Sequence, residues 1–299
     1  MVGVREYASV ARAPFLLLPP TLVAAGAAAA AWDGAFFWAR TLLALIGLVA
    51  LHMAVNILNE WSDMRTGIDL ETQRTPFSGG SGTLPAGGMG SKAALVFGLI
   101  CSGVGLMIGL WFLWKVGWIL LPIMLAGAVA VLTYTDVLAR IGVGEIAAGF
   151  GLGAGPVIGA ALVQSGSWSD AAVAASIPAF FMTFNLLLLN EFPDEEADQG
   201  GGRRNLVILL GRRTAAWIYV AAGLATPAAV IVAVVVGALP ALCLVAVLPS
   251  LLLVKPVQWA TSDPSQPVPI PALGANVVWN LATNTLVALT LIVAMFLRN

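Results

Sequence analysis

Long hydrophobic runs, separated by short polar stretches, make up most of this 299-residue chain. An α-helix needs about 20 largely apolar residues to cross the hydrocarbon core of a bilayer. Nine runs approach or exceed that length, at residues 13–32, 37–59, 92–114, 117–135, 143–164, 171–191, 214–236, 239–255 and 275–297. No polar stretch between them is long enough for a soluble domain. The pattern therefore predicts a single polytopic membrane domain over residues 1–299, all-α, with nine transmembrane helices.

The composition supports this prediction and excludes other classes of protein. Hydrophobic residues make up 60% of the chain and charged residues 10%, and the mean hydropathy is +0.94. Soluble domains carry about 25% charged residues. A formal net charge of −1 leaves no basic field for nucleic acid, so we expect the lipid bilayer as a partner and no nucleic acid. Cys101 and Cys243 lack the spacing of a disulfide framework or a metal site.

Lys and Arg are divided unevenly between the two ends of the predicted helices. If the N-terminus is cytoplasmic, eleven of the 14 fall on that side and only Arg40, Lys115 and Arg298 fall on the other. Cytoplasmic loops carry such an excess in membrane proteins. We therefore expect a multi-pass protein of the cell (cytoplasmic) membrane, with the N-terminus in the cytoplasm and, after nine spans, the C-terminus outside.

The acidic residues are concentrated in two short windows. Nine of the fifteen lie at 60–71 or at 191–198, directly after the second and the sixth predicted spans. Both windows therefore open on the cytoplasmic face. Solvated loops are one explanation for such acids, but the spacing of the polar residues favours a functional site.

Polar residues recur at helical spacing where these two spans end. Steps of three or four residues place side chains on one face of a helix. The two stripes are His52, Asn56, Asn59 and Asp63 on the second span, and Asn190, Asp194 and Asp198 on the sixth. Polar groups at membrane depth usually face a bundle interior or a wet cavity. Pro193 is expected to kink or end the sixth helix, so that two acidic helix ends face each other across one cavity.

The residue types in these windows suit a metal ion and an oxyanion. Mg²⁺ typically takes one or two carboxylates together with waters and substrate phosphates, and neither window contains the Cys/His set of a zinc site. Arginines, which suit phosphate oxygens, are interleaved with the acids at Arg65, Arg74, Arg140, Arg203 and Arg204. At a membrane face, acids that can bind a metal lie beside arginines that can bind an oxyanion. This combination indicates a ligand in which a lipid-soluble tail carries a diphosphate.

At these residues the sequence resembles the UbiA superfamily of intramembrane prenyltransferases. That family carries two Asp-rich motifs, broadly N-D-x-x-D and D-x-x-x-D, at the cytoplasmic ends of spans two and six. The corresponding segments here are NILNEWSDMRTGID from Asn56 to Asp69 and NEFPDEEADQGGGRRNL from Asn190 to Leu206. The segment YTDVLARIGVGE from Tyr134 to Glu145 also resembles the family's loop between spans four and five. Within the superfamily, the first motif is most similar to the menaquinone branch.

Two positions depart from the family pattern. Glu60 occupies a position where Asp is usual, which adds a methylene and moves any ligand oxygen. Gly67 occupies the position of the second acid in a strict D-x-x-x-D after Asp63, which leaves Asp69 two residues later to serve instead. Asp63 is therefore a better candidate metal ligand than Glu60 or Asp69.

The resemblance implies a helix bundle around a central cavity, closed by a cytoplasmic cap from the loops after spans two and six. It implies two Mg²⁺ ions that bridge the motifs to the diphosphate of an allylic polyprenyl donor. It also implies a small aromatic acceptor, a quinone precursor such as 1,4-dihydroxy-2-naphthoate. The active site then faces the cytoplasm and the enzyme is a prenyltransferase.

The resemblance also implies roles for the residues that match the family's motifs. The predicted metal ligands are Asp63, Asp69, Asp194 and Asp198. The predicted catalytic residues are Asn59, Asp63, Asp194 and Asp198. The predicted substrate-binding residues are Asn56, Asn59, Arg65, Arg74, Tyr134, Arg140, Asn190 and Arg204. Interhelical hydrogen bonds are the alternative for the asparagines, and positive-inside anchoring is the alternative for the arginines.

Two other functions are compatible with the sequence. A UbiA-type terpene cyclase would ionise the same diphosphate without an external acceptor. A cation-coupled transporter would also carry intramembrane acids in two equivalent positions, although here they lie at the membrane face. The identity of the acceptor and the length of the prenyl chain depend on the shape of the cavity, which the sequence does not provide.

Overall fold

The computed structural model describes residues 2–298, which form helices and connecting turns without a β-strand. The α-helices are α1 (Val4–Val10), α2 (Leu18–Trp32), α3 (Trp38–Thr66), α4 (Ile68–Glu71), α5 (Ser91–Val116), α6 (Leu121–Thr133), α7 (Gly144–Gly149), α8 (Gly155–Ser165), α9 (Asp170–Gly200), α10 (Leu206–Leu210), α11 (Arg212–Val235), α12 (Val254–Ser262) and α13 (Ile270–Arg298). The predicted all-α membrane architecture is confirmed.

Eight helical segments in the described part of the chain are long and apolar enough to cross a membrane. They are Ala13–Trp32, Trp38–Thr66, Ser91–Val116, Gly144–Ser165, Asp170–Gly200, Arg212–Val235, Ala241–Ser262 and Ile270–Arg298. The fourth predicted span, 117–135, corresponds to the shorter apolar helix Trp118–Thr133, which begins with a 3₁₀ turn and continues as α6. The count of nine spans stays a prediction, as does the orientation of the termini.

Small residues allow the central helices to pack closely. The alanine-rich helix α2 lies against α8, α9 and α13, and most of its side chains are buried. A Cβ at Gly26 would lie 2.2 Å from the carbonyl oxygen of Val157 on α8, so only glycine fits that crossing. Close approach through small residues is typical of membrane bundles, where the lipid provides no hydrophobic driving force between helices.

The second acidic window lies on a continuous helix. We expected Pro193 to kink or end the sixth span, but α9 continues through both Pro178 and Pro193 to Gly200. A proline inside a helix removes one backbone hydrogen bond, and α9 packs against α2, α7, α8, α11 and α13 along its length. Asp194 and Asp198 therefore stay on the same helical face as Asn190.

The loops after α3 and α9 fold back over the same end of the bundle. Gly67, with φ of +85°, ends α3, and the chain then forms α4 and the loop 72–90. The backbone N–H of Gly79 in that loop donates to Asp194 Oδ2 on α9 over 3.1 Å. After α9, the N–H of Arg204 donates to the carbonyl of Ala139 over 2.8 Å. These loops form the expected cap.

Candidate active site

A cavity opens beneath this cap and encloses about 1320 Å³ of empty space, its open mouth included. It is lined by side chains from the N-terminal segment, from α3, α4, α9 and α13, and from the cap loops. Eight predicted site residues lie in its wall: Asn56, Asn59, Asp63, Asp69, Tyr134, Asn190, Asp194 and Asp198. Residues of both polar stripes, together with Asp69 and Tyr134, therefore line the same cavity.

The four aspartates in this wall are here called the carboxylate cluster: Asp63, Asp69, Asp194 and Asp198. Asp63 is 6% exposed, and Asp69 and Asp198 are each 2% exposed. Burying a carboxylate without a partner is costly. Each of these acids therefore requires a cation, a hydrogen-bond donor or a proton.

Arg203 neutralises two members of the cluster. Its Nη1 donates to Asp198 Oδ1 over 2.9 Å, and its Nη2 is ion-paired with Asp63 Oδ1. Asn205 Nδ2 completes the contacts of Asp198 by donating to Oδ2 over 3.0 Å. Burial by itself lowers the pKa of Arg203, but the two carboxylates outweigh it and raise the pKa above its usual value. The arginine therefore stays charged.

The other two members carry oxygens without a partner. Asp69 Oδ2 and Asp194 Oδ1 are buried and accept no hydrogen bond within the described residues. Burial first, and the nearby Glu60 carboxylate second, raise the pKa of Asp69 to about 6. These free oxygens lie in the cavity wall, where a ligand can reach them.

A glycine-rich loop, residues 75–83, covers the cluster. Gly80 has a φ of +70°, and a Cβ at this position would lie 2.7 Å from Asp69 Oδ1. The loop is fastened to α3 because Ser81 donates its N–H and its hydroxyl to the carboxylate of Glu60. Glu60, which departs from the family pattern, is fully buried and holds the loop rather than facing the cavity.

A further arginine lies in the cavity wall and was not predicted from the sequence. Arg12 precedes the first span, lines the cavity and donates from Nη2 to the carbonyl of Phe77 over 3.2 Å. Its φ of +53° makes it the sole non-glycine residue with positive φ in the described chain. Such a conformation costs energy and often marks a functional site. A basic residue just before an apolar run was a signal, but it is indistinguishable from an interfacial anchor.

The four arginines that we predicted to bind substrate do not line the cavity. Arg65 pairs with Asp136 over 3.1 Å and lies over the ring of Trp61. Arg74 is exposed at the loop and donates to the carbonyl of Asp69. Arg140 is half-buried beside Gly202, and Arg204 is exposed. Their roles stay predictions, whereas Arg203, which we did not predict to bind substrate, lines the cavity.

Glu191 is a second residue that the sequence did not single out. It is buried, lines the cavity and has one oxygen, Oε2, without a partner. Its neighbour Glu145 accepts the N–H of Leu206 over 2.5 Å. The signal was the position of Glu191 one residue after Asn190, but it lies off the four-residue stripe of α9.

These donors fit a divalent cation of the Mg²⁺ type. Carboxylate oxygens are the ligands it prefers, and in phosphate sites it needs only one or two of them. Asp69 and Asp194 have free, buried oxygens, and Asp63 and Asp198 lie in the same wall. Within residues 2–298 no three His, Cys, Asp or Glu side chains are already close enough to form a closed metal site. The arrangement therefore suits a metal that binds together with a phosphate ligand.

A second cavity adjoins the first and is almost entirely apolar. It encloses about 1350 Å³ between α2, α3, α5, α6 and α8, and glycines and aliphatic side chains line most of it. His52 and Leu152 lie in the wall of the polar cavity, and their neighbours Leu51 and Gly151 lie in the wall of the apolar one. A molecule with a charged head and a hydrocarbon tail matches this pair of cavities.

Comparison with known proteins gives a match over most of the chain. Residues 17–276 match the UbiA prenyltransferase family. A 1,4-dihydroxy-2-naphthoate octaprenyltransferase of Bacillus subtilis (strain 168) is 27% identical over 174 residues, which cover 57% of this chain and 55% of that enzyme. The match therefore spans about half the length of this curated relative.

Solved structures share the fold. A UbiA homologue from Aeropyrum pernix K1 superposes with a TM-score of 0.72 at 19% identity, covering 94% of this chain and 98% of its own. A UbiA homologue from Archaeoglobus fulgidus, solved with GPP and Mg²⁺, has a TM-score of 0.68 at 13% identity and covers 96% and 99%. At these identities the likeness establishes the fold alone.

Proposed function

This chain belongs to the UbiA prenyltransferase family, and from that premise we propose that it transfers a polyprenyl group from an allylic polyprenyl diphosphate to an aromatic acceptor in the membrane. The observation that carries this proposal is the placement of the carboxylate cluster. Two acidic helix ends meet in one cavity beside a large apolar cavity. A polar head group and an isoprenoid tail require that combination.

Mg²⁺ is the proposed cofactor, with two ions as the family resemblance implies. Asp69 and Asp194 would hold it through their free oxygens, and Asp63 and Asp198 would join them. When bound, Mg²⁺ stabilises the negative charge that develops on the departing diphosphate. The homologue from Archaeoglobus fulgidus was solved with both Mg²⁺ and a prenyl diphosphate, which supports this assignment.

The chain's own residues bind the two parts of the donor, its diphosphate and its isoprenoid tail, in different regions of the site. Arg12 and Arg203 are the arginines in the cavity wall, and guanidinium groups form strong charge-assisted hydrogen bonds to phosphate oxygens. The apolar cavity accepts the isoprenoid tail and excludes water, which would otherwise capture the allylic cation. The loop 75–83 covers the polar end of the site.

The proposed acceptor is a quinone precursor such as 1,4-dihydroxy-2-naphthoate. Its support is the Bacillus subtilis octaprenyltransferase, a relative that carries this acceptor in its name. Asn190, Tyr134 and Asn280 provide polar groups in the cavity wall that suit the hydroxyls of such a ring. We place the reaction in the cell membrane, with the site open to the cytoplasm.

One incubation tests this function. The purified protein in detergent is given Mg²⁺, a radiolabelled prenyl diphosphate and a panel of aromatic acceptors, and products are identified by mass. We expect a prenylated aromatic product that requires both Mg²⁺ and the acceptor. Release of a cyclic hydrocarbon in the absence of acceptor would instead identify a terpene cyclase and overturn the proposal.

A further inference from the structure

Arg203 is the cation that joins the two acidic windows. Its two terminal nitrogens bind Asp63 at the end of α3 and Asp198 at the end of α9. Its side chain is only 15% exposed. The guanidinium therefore occupies a position between two carboxylates that belong to different helices and different motifs.

The pairing divides the carboxylate cluster into two halves. Asp63 and Asp198 each give an oxygen to Arg203, whereas Asp69 and Asp194 each keep a buried oxygen without a partner. A divalent cation can bind the free oxygen of Asp69 or of Asp194 without displacing a hydrogen-bond donor. To bind the first pair it has to compete with a guanidinium that is already in place.

Arg203 can also bind a ligand in the cavity after it has left the carboxylates. Its Nε is buried and has no partner, so a donor is available to a ligand in the cavity. A guanidinium carries five N–H donors and no acceptor, which suits it equally to carboxylate and to phosphate. Three consecutive glycines, Gly200 to Gly202, precede it, and Gly202 has a φ of +82°. The backbone there is permissive.

We propose that Arg203 is an internal substitute for the metal. It binds Asp63 and Asp198 while the site lacks Mg²⁺, and it transfers to the diphosphate when Mg²⁺ and the donor bind together. This inference rests on the proposed function, since it takes the ligand to be a metal–diphosphate complex. The consequence is that Arg203 opposes metal binding in the absence of diphosphate and supports donor binding in its presence.

The test is to compare the unchanged chain with Arg203→Gln in two binding assays. Electron paramagnetic resonance of free Mn²⁺ measures metal affinity without diphosphate, and equilibrium binding of a labelled prenyl thiolodiphosphate at saturating Mg²⁺ measures donor affinity. We expect Arg203→Gln to bind Mn²⁺ about tenfold more tightly and the analogue about tenfold more weakly. Effects of opposite sign distinguish exchange from a simple loss of structure.

Arg213→Gln is the matched control, because Arg213 is exposed and lies outside the cavity wall. We expect both affinities to be unchanged in it. Arg203→Lys provides a second variant, which keeps the charge but lacks the planar fork that binds two carboxylates. It should bind Mn²⁺ more tightly than the unchanged chain and less tightly than Arg203→Gln. If Arg203→Gln does not fold, the Mn²⁺ affinity of Arg203→Lys is the test of the inference.

An unchanged or weaker affinity for Mn²⁺ in folded Arg203→Gln, or in Arg203→Lys if that alone folds, would overturn the inference. This outcome is distinct from failure of the proposed function. If the unchanged chain binds neither Mn²⁺ nor the analogue, the proposed function fails. If it binds both and the Arg203 variants leave the Mn²⁺ affinity unchanged, only the exchange is wrong.

Discussion

Ser81 donates both its backbone N–H and its hydroxyl to the carboxylate of Glu60, each over 2.6 Å. Glu60 lies near the end of α3 and Ser81 lies in the loop 75–83, so this pair fastens the cap to the bundle. The longer side chain at position 60, which departs from the family's aspartate, is what reaches the loop. Glu60 therefore contributes to the site indirectly, through the position of the loop.

The first prediction concerns this fastening. Glu60→Asp shortens the side chain by one methylene and should lose at least one of the two contacts, with a loss of about 1–3 kcal/mol of stability because a buried carboxylate is left incompletely paired. Ser81→Ala keeps the backbone N–H contact to Glu60 but removes the hydroxyl contact, together with the contacts of that hydroxyl with Thr83 inside the loop. We expect both variants to melt at a lower temperature in detergent, with Glu60→Asp showing the larger change.

The Mg²⁺ concentration needed for half-maximal activity separates the two possible roles of Glu60. If Glu60 only holds the loop, Glu60→Asp and Ser81→Ala should change this concentration in the same direction. A large increase in Glu60→Asp with none in Ser81→Ala would mean that Glu60 is itself a metal ligand.

The second prediction concerns Asp194, which has a buried, unpartnered oxygen at Oδ1 and accepts the N–H of Gly79 at Oδ2. Asp194→Asn keeps the shape and an acceptor for Gly79 but removes the charge. We expect the protein in a chelator to melt at a higher temperature, because an uncompensated charge is removed. The rate of prenyl transfer should fall at least about 100-fold, because a metal ligand is lost.

Asp33→Asn is the control for this experiment, since Asp33 lies at the C-terminal end of α2, away from the cavity wall. It should change neither quantity. Retention of prenyl transfer by Asp194→Asn would exclude Asp194 from the metal site.

The third prediction is a dependence of stability on pH. Burial and the neighbouring Glu60 raise the pKa of Asp69 to about 6, above the value of about 3.9 in an unfolded chain. A raised pKa means that the folded state prefers the protonated acid, so this contribution is complete below pH 4 and is lost as the pH rises through 6. The loss amounts to at most about 3 kcal/mol.

Thermal melting in the presence of a chelator, between pH 4 and pH 7, measures this effect. The melting temperature of Asp69→Asn should fall less over that range than that of the unchanged chain. Parallel curves for the two proteins would show that Asp69 has an ordinary pKa.

The fourth prediction concerns Arg12. Because its guanidinium is in the cavity wall beside the loop 75–83, Arg12→Gln should raise the KM for the prenyl diphosphate about tenfold through loss of a charge-assisted contact. The KM for the acceptor should stay the same. Arg5→Gln serves as the control, since Arg5 is exposed on α1. An equal change in both variants would indicate a general effect of positive charge near the membrane.

The sequence was sufficient to predict the helical membrane fold and the acidic side of the site. Steps of three and four residues on α3 and α9 placed Asn59, Asp63, Asp194 and Asp198 correctly in one cavity, because such steps determine which side chains share a helical face. The length of the fourth helix could not be predicted, because an apolar run does not show how much of it is helical.

The arginines could not be assigned from the sequence. Arg203 and Arg204 are adjacent, and the turn at Gly200 to Gly202 directs one inward and the other to the surface. Arg12 reaches the cavity only because the N-terminal segment folds back against the loop 75–83, a contact across 65 residues of chain. Periodicity within one helix carries no information about such long-range contacts.

The short helix beside the apolar cavity has a consequence for the surrounding lipid. Trp118–Thr133 extends over about 24 Å at 1.5 Å per residue, whereas the hydrocarbon layer is about 30 Å thick. In the nine-span prediction this helix crosses the bilayer, and a hydrophobic segment that short is accommodated by local thinning of the lipid or by flanking residues that extend to the interface. From that prediction we expect bilayer thickness, and hence the acyl-chain length of the host membrane, to act on the wall of the cavity to which we assign the isoprenoid tail.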